Sequence, residues 1–140
     1  MQCLPCADTD LNTGIIEVNQ VSMSKKTQEE LERWSKEVKR GAVTLAILAL
    51  LSKKRAYGYE TVKILDEKMS FLALEQGTVY PLLRRLEKRE LLKSEWDYMD
   101  PTKPKKYYTI TKEGLMALGA MAKDWSRLSR EMREILTEVE

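Results

Sequence analysis

Apolar side chains recur at helical spacing over residues 25–90, whereas residues 1–24 show no clear periodicity. Leu31 and Trp34 fall on one face of the first predicted helix, and Gly41 is expected to end it. The next segment, residues 42–51, is apolar on nearly every side, so we expect it to lie buried in the centre of the core. In the fourth predicted helix, Pro81 favours a start near 77–78, because proline is tolerated only in a first turn. The four predicted helices cover residues 25–40, 42–51, 57–69 and 76–90.

After the fourth predicted helix, the repeat of apolar positions changes from about 3.6 residues, which is typical of a helix, to 2 residues, which is typical of a strand. Alternation over 92–98 predicts one strand, and alternation over 106–110 predicts a returning strand. The intervening 100–104 segment contains aspartate and two prolines, which is typical of a turn. We therefore expect a two-stranded hairpin with a basic tip. The predicted fold class is mainly α with a small β-hairpin, that is, a winged helix-turn-helix domain followed by a long helix.

The last helix is predicted over 112–139, with Thr111 as its N-cap. Positions spaced alternately three and four apart from Leu115 to Val139 are apolar except for Ser129, which is the heptad pattern of a coiled coil. At about 1.5 Å per residue it would be roughly 40 Å long, too long for half of a small domain to cover. We expect it to pair two copies of the chain as a homodimer; packing against the chain's own first helix is the alternative. The residues expected in that interface are Leu115, Leu118, Ala122, Trp125, Met132 and Leu136.

Composition excludes several classes of function. The 140 residues contain no histidine, which rules out histidine-based catalytic triads and histidine metal sites. No glycine-rich phosphate-binding loop is present, and no apolar run approaches the length of a membrane span. The N-terminus lacks the pattern of a secretory signal. We therefore expect a cytoplasmic protein that is not an enzyme and needs no cofactor or metal.

Charge is unevenly distributed along the chain. Residues 41–112 carry 14 lysines and arginines against 9 acidic residues, whereas the two flanks together carry 10 against 13. A polyanionic partner for the middle segment is one interpretation. A solvated surface of mixed charge is the other.

The outer face of the helix predicted over 76–90 suggests what that partner is. Tyr80, Arg84 and Lys88 are stacked four residues apart, and Arg85 lies beside them. Guanidinium groups match guanine edges and phosphates, so this face suits a DNA major groove. Any amphipathic helix shows polar residues outward, and two acidic residues dilute this face, so the helix alone decides little. The further polar groups are Gln76 and Thr78 at the start of the helix and Lys103, Lys105 and Lys106 at the hairpin tip.

Several motifs resemble those of the PadR family of transcriptional regulators. The segment LAILALLSKKRAYGYETVKIL at 45–65 resembles the opening helices of that family, and GTVYPLLRRLEKRELLKSEW at 77–96 resembles its recognition helix and first wing strand. KPKKYYTITKEG at 103–114 resembles the second wing strand, and DWSRL at 124–128 resembles part of the dimerisation helix. The resemblance covers about 35–138.

The resemblance implies a winged-helix dimer that represses transcription from a palindromic operator in double-stranded DNA. It also implies that the recognition helix begins before Gly77. The chain departs from the family at Glu90, where glycine is usual, and residues 1–24 have no counterpart. The expected divisions are an arm at 1–24, a helix at 25–40, a DNA-binding domain at 41–111 and a dimerisation helix at 112–140. The residues expected to contact DNA are Gln76, Thr78, Tyr80, Pro81, Arg84, Arg85, Lys88, Lys103, Lys105 and Lys106.

Trp125 is a candidate effector-binding residue. In some members of the family the tryptophan at this place stacks on flat aromatic effectors, so a small aromatic effector is a possible partner. An ordinary interface anchor is the alternative.

Two other functions remain open. A winged-helix module that binds protein and not DNA would fit the same fold. Cys3 and Cys6 have the spacing of a redox dithiol or half a zinc site, but no second pair and no histidine accompany them.

Overall fold

A computed structural model describes residues 23–72 and 76–139 of the chain. Nearly all of the arm predicted at 1–24, with Cys3 and Cys6, lies outside this part, as does the end of the connector predicted at 70–74. The described part contains four helices and three strands. They are α1 (Lys25–Lys53), β1 (Ala56–Tyr57), α2 (Gly58–Lys68), α3 (Gln76–Lys88), β2 (Leu92–Asp97), β3 (Lys105–Ile110) and α4 (Lys112–Val139).

Helix α1 is continuous where two helices were expected, so the break predicted at Gly41 is wrong. Glycine keeps its backbone N–H, so it lowers helix stability by only about 1 kcal/mol relative to alanine. The place where a Gly41 side chain would lie has no neighbouring atom within 4 Å. The apolar segment that follows is central to the core, as predicted. Its buried residues are Val43, Ala46, Ile47, Leu48 and Leu51.

The three strands form one antiparallel sheet in the order β1-β3-β2, not the two-stranded hairpin expected from the sequence. Ala56 pairs with Tyr108 and Tyr57 pairs with Tyr107, so β3 lies in the middle. A strand of two residues is too short to show an alternating pattern. The β2–β3 hairpin itself is confirmed, and it begins and ends within one residue of the predicted bounds.

One core joins the helices to the inner face of the sheet. Leu65 from α2, Leu83 from α3 and Leu92 from β2 are each at most 1% exposed. Burial of one such side chain stabilises the fold by about 1.5–3 kcal/mol. The core therefore fixes α3 against both α2 and the β2–β3 hairpin.

Helix α4 begins at Lys112, as predicted. Thr111 is its N-cap, because the Gly114 N–H donates to Thr111 Oγ1 at 3.0 Å. Leu118 and Met121 pack against the core, and the rest of the apolar stripe is largely exposed.

The chain divides into two compact units, one of residues 39–128 and one formed by the residues before 39 and after 128. The domain boundaries predicted at 41 and 112 stay predictions. No described helix combines the length and the apolar character that crossing a membrane requires.

Candidate nucleic-acid interface

Helix α3 begins at Gln76, so the earlier start implied by the family resemblance is confirmed and the start near 77–78 is wrong. Pro81 lies within the helix as its sixth residue. Proline lacks an N–H, so the helix gives up the hydrogen bond that would reach the Gly77 carbonyl. Pro81 is exposed, and the buried leucines on the opposite face hold the helix in place. Gln76 opens α3, but its side chain lies outside the described part of the structure.

The outward face of α3 is basic. Arg84, Arg85 and Lys88 are all exposed, while Val79 and Leu83 on the opposite face are completely buried. Thr78 is also exposed, in the first turn. One side of α3 is therefore fixed by the core, and the other presents guanidinium and ammonium groups to solvent.

Tyr80 is placed differently from its neighbours on this face. It is half-buried and packs against the core, whereas the sequence pattern put it on the open face with Arg84 and Lys88. A side chain at Gly58 would have its Cβ only 1.8 Å from Tyr80 Cε1. A side chain at position 58 would therefore collide with the Tyr80 ring, and glycine as the first residue of α2 leaves room for that ring. Tyr80 positions α3 on α2, and its contact with DNA stays a prediction.

Glu87 does not dilute the basic face, because its carboxylate is bound by the β2–β3 hairpin, which is the wing of the fold. It accepts a hydrogen bond from the Ser94 hydroxyl on β2, and its Oε1 lies 3.2 Å from Lys106 Nζ on β3. The Ser94 hydrogen bond, aided by Lys106, holds the pKa of Glu87 below its ordinary value against the opposing effect of burial. Burial lowers the pKa of Lys106, but its hydrogen bond and charge interaction with Glu87, together with its interactions with Tyr108, outweigh that effect and raise the pKa.

This cluster of Glu87, Ser94 and Lys106, which we call the wing latch, ties α3 to both wing strands. The side chains of Lys106 and Glu87 are only 29% and 31% exposed. Lys106 is therefore partnered within its own chain, and a DNA phosphate would have to compete with Glu87 for it. The sequence pattern could not show this, because Glu87 and Lys106 are 19 positions apart.

The wing tip is ordered by its own turn. Asp100 Oδ1 accepts hydrogen bonds from the Thr102 N–H at 3.1 Å and from the Thr102 hydroxyl at 2.6 Å. These bonds hold the pKa of Asp100 below its ordinary value, so the tip also carries a negative charge. Lys103 and Lys105 are exposed beside it. Both remain available for contact with a phosphate backbone.

Two tyrosines on the outer face of the sheet hold cations in place. The Tyr57 and Tyr107 rings meet edge to face at 5.4 Å, and Arg55 lies over the Tyr107 ring at 4.2 Å. Lys105 Nζ lies 4.7 Å from the centre of the Tyr57 ring. Such contacts contribute about 0.5–1 kcal/mol at exposed sites. Arg55 was not among the predicted site residues, because only the pairing of β1 with β3 brings it to the wing.

The backbone at the end of α3 shows how Glu90 is accommodated at a position where the resembling family usually has glycine. Its φ of 63° lies in the left-handed region, where glycine is favoured. The Glu90 N–H donates to the Glu87 carbonyl at 2.9 Å, and the Leu91 N–H donates to the Leu86 carbonyl at 3.0 Å. These two bonds form a Schellman motif. The helix therefore ends as a glycine would end it, with a glutamate in the strained position.

The apolar stripe on α4 is open to solvent at many positions. Leu115 is 49% exposed, Trp125 46% and Met132 46%, whereas Leu118 and Leu136 are half-buried. Ala122 is exposed between them. Leu128 and Ile135, which widen the stripe, are also exposed. Large apolar groups repeated along one face of a helix mark an interaction surface.

Trp125 also lines a cleft of about 410 Å³. Leu45 from α1 and Met121, Asp124 and Leu128 from α4 lie around it. Its walls are mainly apolar, and Asp124 adds one carboxylate. Elsewhere, the described residues contain no cluster of three acidic or cysteine side chains that could hold a metal ion.

Comparison with known proteins identifies the chain. Residues 47–120, more than half of it, match the sequence model of the transcriptional regulator PadR-like family. The chain belongs to the PadR-like family. It is therefore a DNA-binding transcriptional regulator with a winged-helix fold, as the sequence motifs predicted, and PadR-like regulators are generally not enzymes.

Solved PadR structures agree with this assignment. A PadR-family transcriptional regulator from Eggerthella lenta is 35% identical, with a TM-score of 0.70 over 81% of this chain and 97% of that one. A PadR-like regulator from Bacillus cereus is 30% identical, with a TM-score of 0.63 over 69% of this chain and 93% of that one. An uncharacterized protein of Lysinibacillus sphaericus is 31% identical over 98 residues, covering 69% of this chain and 86% of that protein.

Proposed function

We propose that this PadR-like regulator is a homodimeric repressor that binds a palindromic operator. The observation that carries the proposal is the exposed basic face of α3, whose opposite face is anchored in the core. A major groove is about 12 Å wide and accepts one helix. Two copies of α3 separated by about one helical turn, roughly 34 Å, would enter successive grooves on one side of the duplex.

The contacts that we propose divide into base edges and phosphates. Arg84 is suited to a guanine edge, because its guanidinium can donate two parallel hydrogen bonds. Lys103 and Lys105 at the wing tip would bind phosphates, and the N-terminus of α3 would favour a phosphate through its dipole. Lys106 supports the wing through the wing latch. The remaining proposed contacts from α3 are Gln76, Thr78, Tyr80, Pro81, Arg85 and Lys88.

The dimer is proposed to form through α4, the dimerisation helix of the division set out above. Leu115, Trp125 and Met132 are each close to half exposed, and their stripe continues along the helix. Covering such a stripe with the same stripe of a second copy would remove it from water, which is the usual origin of a heptad pattern. The alternative is coverage by the chain's own α1, and the exposure of Trp125 and Leu128 argues against it.

Release by an effector is the last part of the proposal. The cleft beside Trp125 has an apolar wall and one carboxylate, which suits a flat aromatic molecule carrying a positive charge. Titration with planar cationic compounds should quench the fluorescence of Trp125, and the Trp125→Phe variant should lose that response. A response that survives in Trp125→Phe would move the site elsewhere. No quenching by any compound in the series would leave Trp125 as an interface anchor.

A module that binds protein and not DNA has less support than it had from the sequence. That alternative depended on the dilution of the basic face by acidic residues. Glu87 is turned into the wing latch, and Glu90 lies beyond the end of α3. The exposed face of α3 is therefore more uniformly basic than the sequence suggested.

A mobility-shift assay with the gene's own upstream DNA tests the proposal. Arg84→Ala should weaken operator binding by about 1–3 kcal/mol, roughly 5- to 150-fold, and relax base preference at one position of each half-site. Arg130→Ala, an exposed arginine on α4, is the matched control and should bind as the parent does. Equal binding by the parent and by Arg84→Ala would contradict the assignment of α3.

The oligomeric state is tested separately by sedimentation. A dimer at micromolar concentration is expected, and Trp125→Glu should dissociate it by burying a charge in the interface. A parent chain that sediments as a single copy would refute the proposed dimer and the palindromic operator with it.

A further inference from the structure

One threonine connects the start of α4 to the chain segment that follows α3. Thr111 Oγ1 donates a hydrogen bond to the Glu90 carbonyl at 2.7 Å and accepts one from the Gly114 N–H at 3.0 Å. The Thr111 N–H donates to the Leu91 carbonyl at 3.1 Å. The residue that caps α4 therefore donates one hydrogen bond each to Glu90 and Leu91, which lie between the end of α3 and the start of β2. We call Glu90, Leu91, Thr111 and Gly114 the helix corner.

The helix corner is also packed too tightly to admit a side chain. A Cβ on Gly114 would lie 2.2 Å from the Leu91 carbonyl oxygen and 2.6 Å from Ile110 Cγ1. Such distances are shorter than real Cβ contacts, and the nearer atom belongs to the backbone, which cannot rotate away. The first turn of α4 therefore rests directly on the chain that leaves α3.

The backbone on the α3 side of the corner is fixed in turn. The Glu90 and Leu91 N–H groups donate to carbonyls of the last turn of α3, as the Schellman motif requires. Leu92, the next residue, pairs with Ile110 in the sheet. A continuous set of hydrogen bonds thus connects the last turn of α3 to the first turn of α4.

We infer that Thr111 is a positioning residue that fixes the direction of α4 relative to the DNA-binding helix, and that Gly114 permits the close contact this needs. The inference rests on the proposed function, in which α4 pairs two copies and α3 binds DNA. In that dimer the helix corner determines the distance and tilt between the two copies of α3. A change in how the two α4 helices pack would therefore change the position of the two copies of α3 relative to the DNA.

Two variants separate the corner bond from the helix cap. Thr111→Asp keeps an acceptor for the N–H groups of α4, because aspartate is a good N-cap, but its carboxylate cannot donate to the Glu90 carbonyl. Thr111→Ser keeps both functions and should behave as the parent. Thr137→Val is the matched control, because Thr137 Oγ1 donates to the Arg133 carbonyl at 2.8 Å within α4 and away from the corner.

The first measurement needs no DNA. Pulsed electron paramagnetic resonance would give the distance between spin labels at Lys93→Cys, an exposed position on β2, in a chain carrying Cys3→Ser and Cys6→Ser. The parent, Thr111→Ser and Thr137→Val should each give one narrow distribution in the dimer. Thr111→Asp should give a distribution at least twice as wide, with the dimer intact by sedimentation. An equally narrow distribution in Thr111→Asp would overturn the inference.

The second measurement uses the operator and varies the spacing of its half-sites. One added base pair moves a half-site by about 3.4 Å and rotates it by about 34°. Binding by the parent should fall by about tenfold, because the two copies of α3 are held rigidly, and binding by Thr111→Asp should fall by less than about threefold. Equal losses in the two proteins would contradict the role of Thr111. A parent chain that gives no distance between copies, or that ignores the operator, would instead refute the proposed function.

Discussion

Replacing Glu90 by glycine should stabilise the protein, which is an uncommon result for a change to glycine. Glu90 has a φ of 63° and ends α3 in the left-handed conformation. A residue with a Cβ crowds the next carbonyl there, whereas glycine does not. The hydrogen bonds at this position involve only backbone N–H and carbonyl groups of residue 90, so the substitution retains all of them.

The expected gain is about 1 kcal/mol. The left-handed conformation costs a residue with a Cβ roughly 1–2 kcal/mol, and the greater entropy of unfolded glycine returns roughly 0.5–1 kcal/mol of that difference. Removal of a carboxylate from the negative end of the α3 dipole adds a smaller gain. Glu90→Gln removes the charge and keeps the Cβ, so it should show the smaller gain alone.

Urea denaturation at one fixed protein concentration measures the effect, because the stability of the proposed dimer would depend on concentration. Thermal unfolding at the same concentration should show a melting temperature that is higher by roughly 3–5 °C for Glu90→Gly. Glu32→Gly is the matched control, because the same change within the regular part of α1 should destabilise by about 1 kcal/mol. Loss of stability in Glu90→Gly, or an equal gain in Glu90→Gln, would refute the steric explanation.

Three further predictions concern the wing latch and the contact between α2 and α3. Lys105→Gln should lower the slope of log affinity against log salt by about one unit on any DNA. Lys106→Met should leave that slope unchanged, because Lys106 is paired with Glu87. Equal effects of the two substitutions on the slope would show that Lys106 also binds phosphate. The pKa of Glu87 is lowered in the folded protein, so its contacts stabilise the fold above the ordinary carboxyl value of 4.5 and this stability is lost as the pH falls through the folded value. Glu87→Gln should therefore be less stable than the parent near neutral pH and lose less stability on acidification, as followed by urea midpoints; parallel acid losses would count against the latch. Gly58→Ala should destabilise the protein by about 1–3 kcal/mol, because its Cβ would overlap the Tyr80 ring. Adding Tyr80→Leu should recover part of that loss in a double-mutant cycle. Additive losses of stability would mean that the two side chains do not interact.

Much of the fold followed from local patterns. The heptad spacing placed α4 at its observed bounds of Lys112–Val139, and the change of period located both wing strands within a residue. These features depend on neighbours within one or two turns or along one strand, so a single segment carries the whole signal. The break expected at Gly41 failed because local propensity is a weak term, which packing of the apolar residues after it overrides.

The candidate site was predictable in part. The basic residues of α3 that were expected to face outward do so, because an amphipathic helix anchored on one side must expose the other. The partners of those residues were not predictable. Tyr80 shares a helical face with Arg84, yet its ring packs against α2, because the glycine at 58 leaves room for it.

By itself, the sequence determined the last three elements in order and type, the family and the basic character of the middle of the chain. The tertiary structure alone decided that Glu87 pairs with Lys106, that a third strand completes the sheet, and that Thr111 fastens α4 to the end of α3. The physical reason is the range of the interactions. Periodicity reports which face of a segment is apolar, whereas ion pairs, strand partners and side-chain caps join residues that come together only when the core closes.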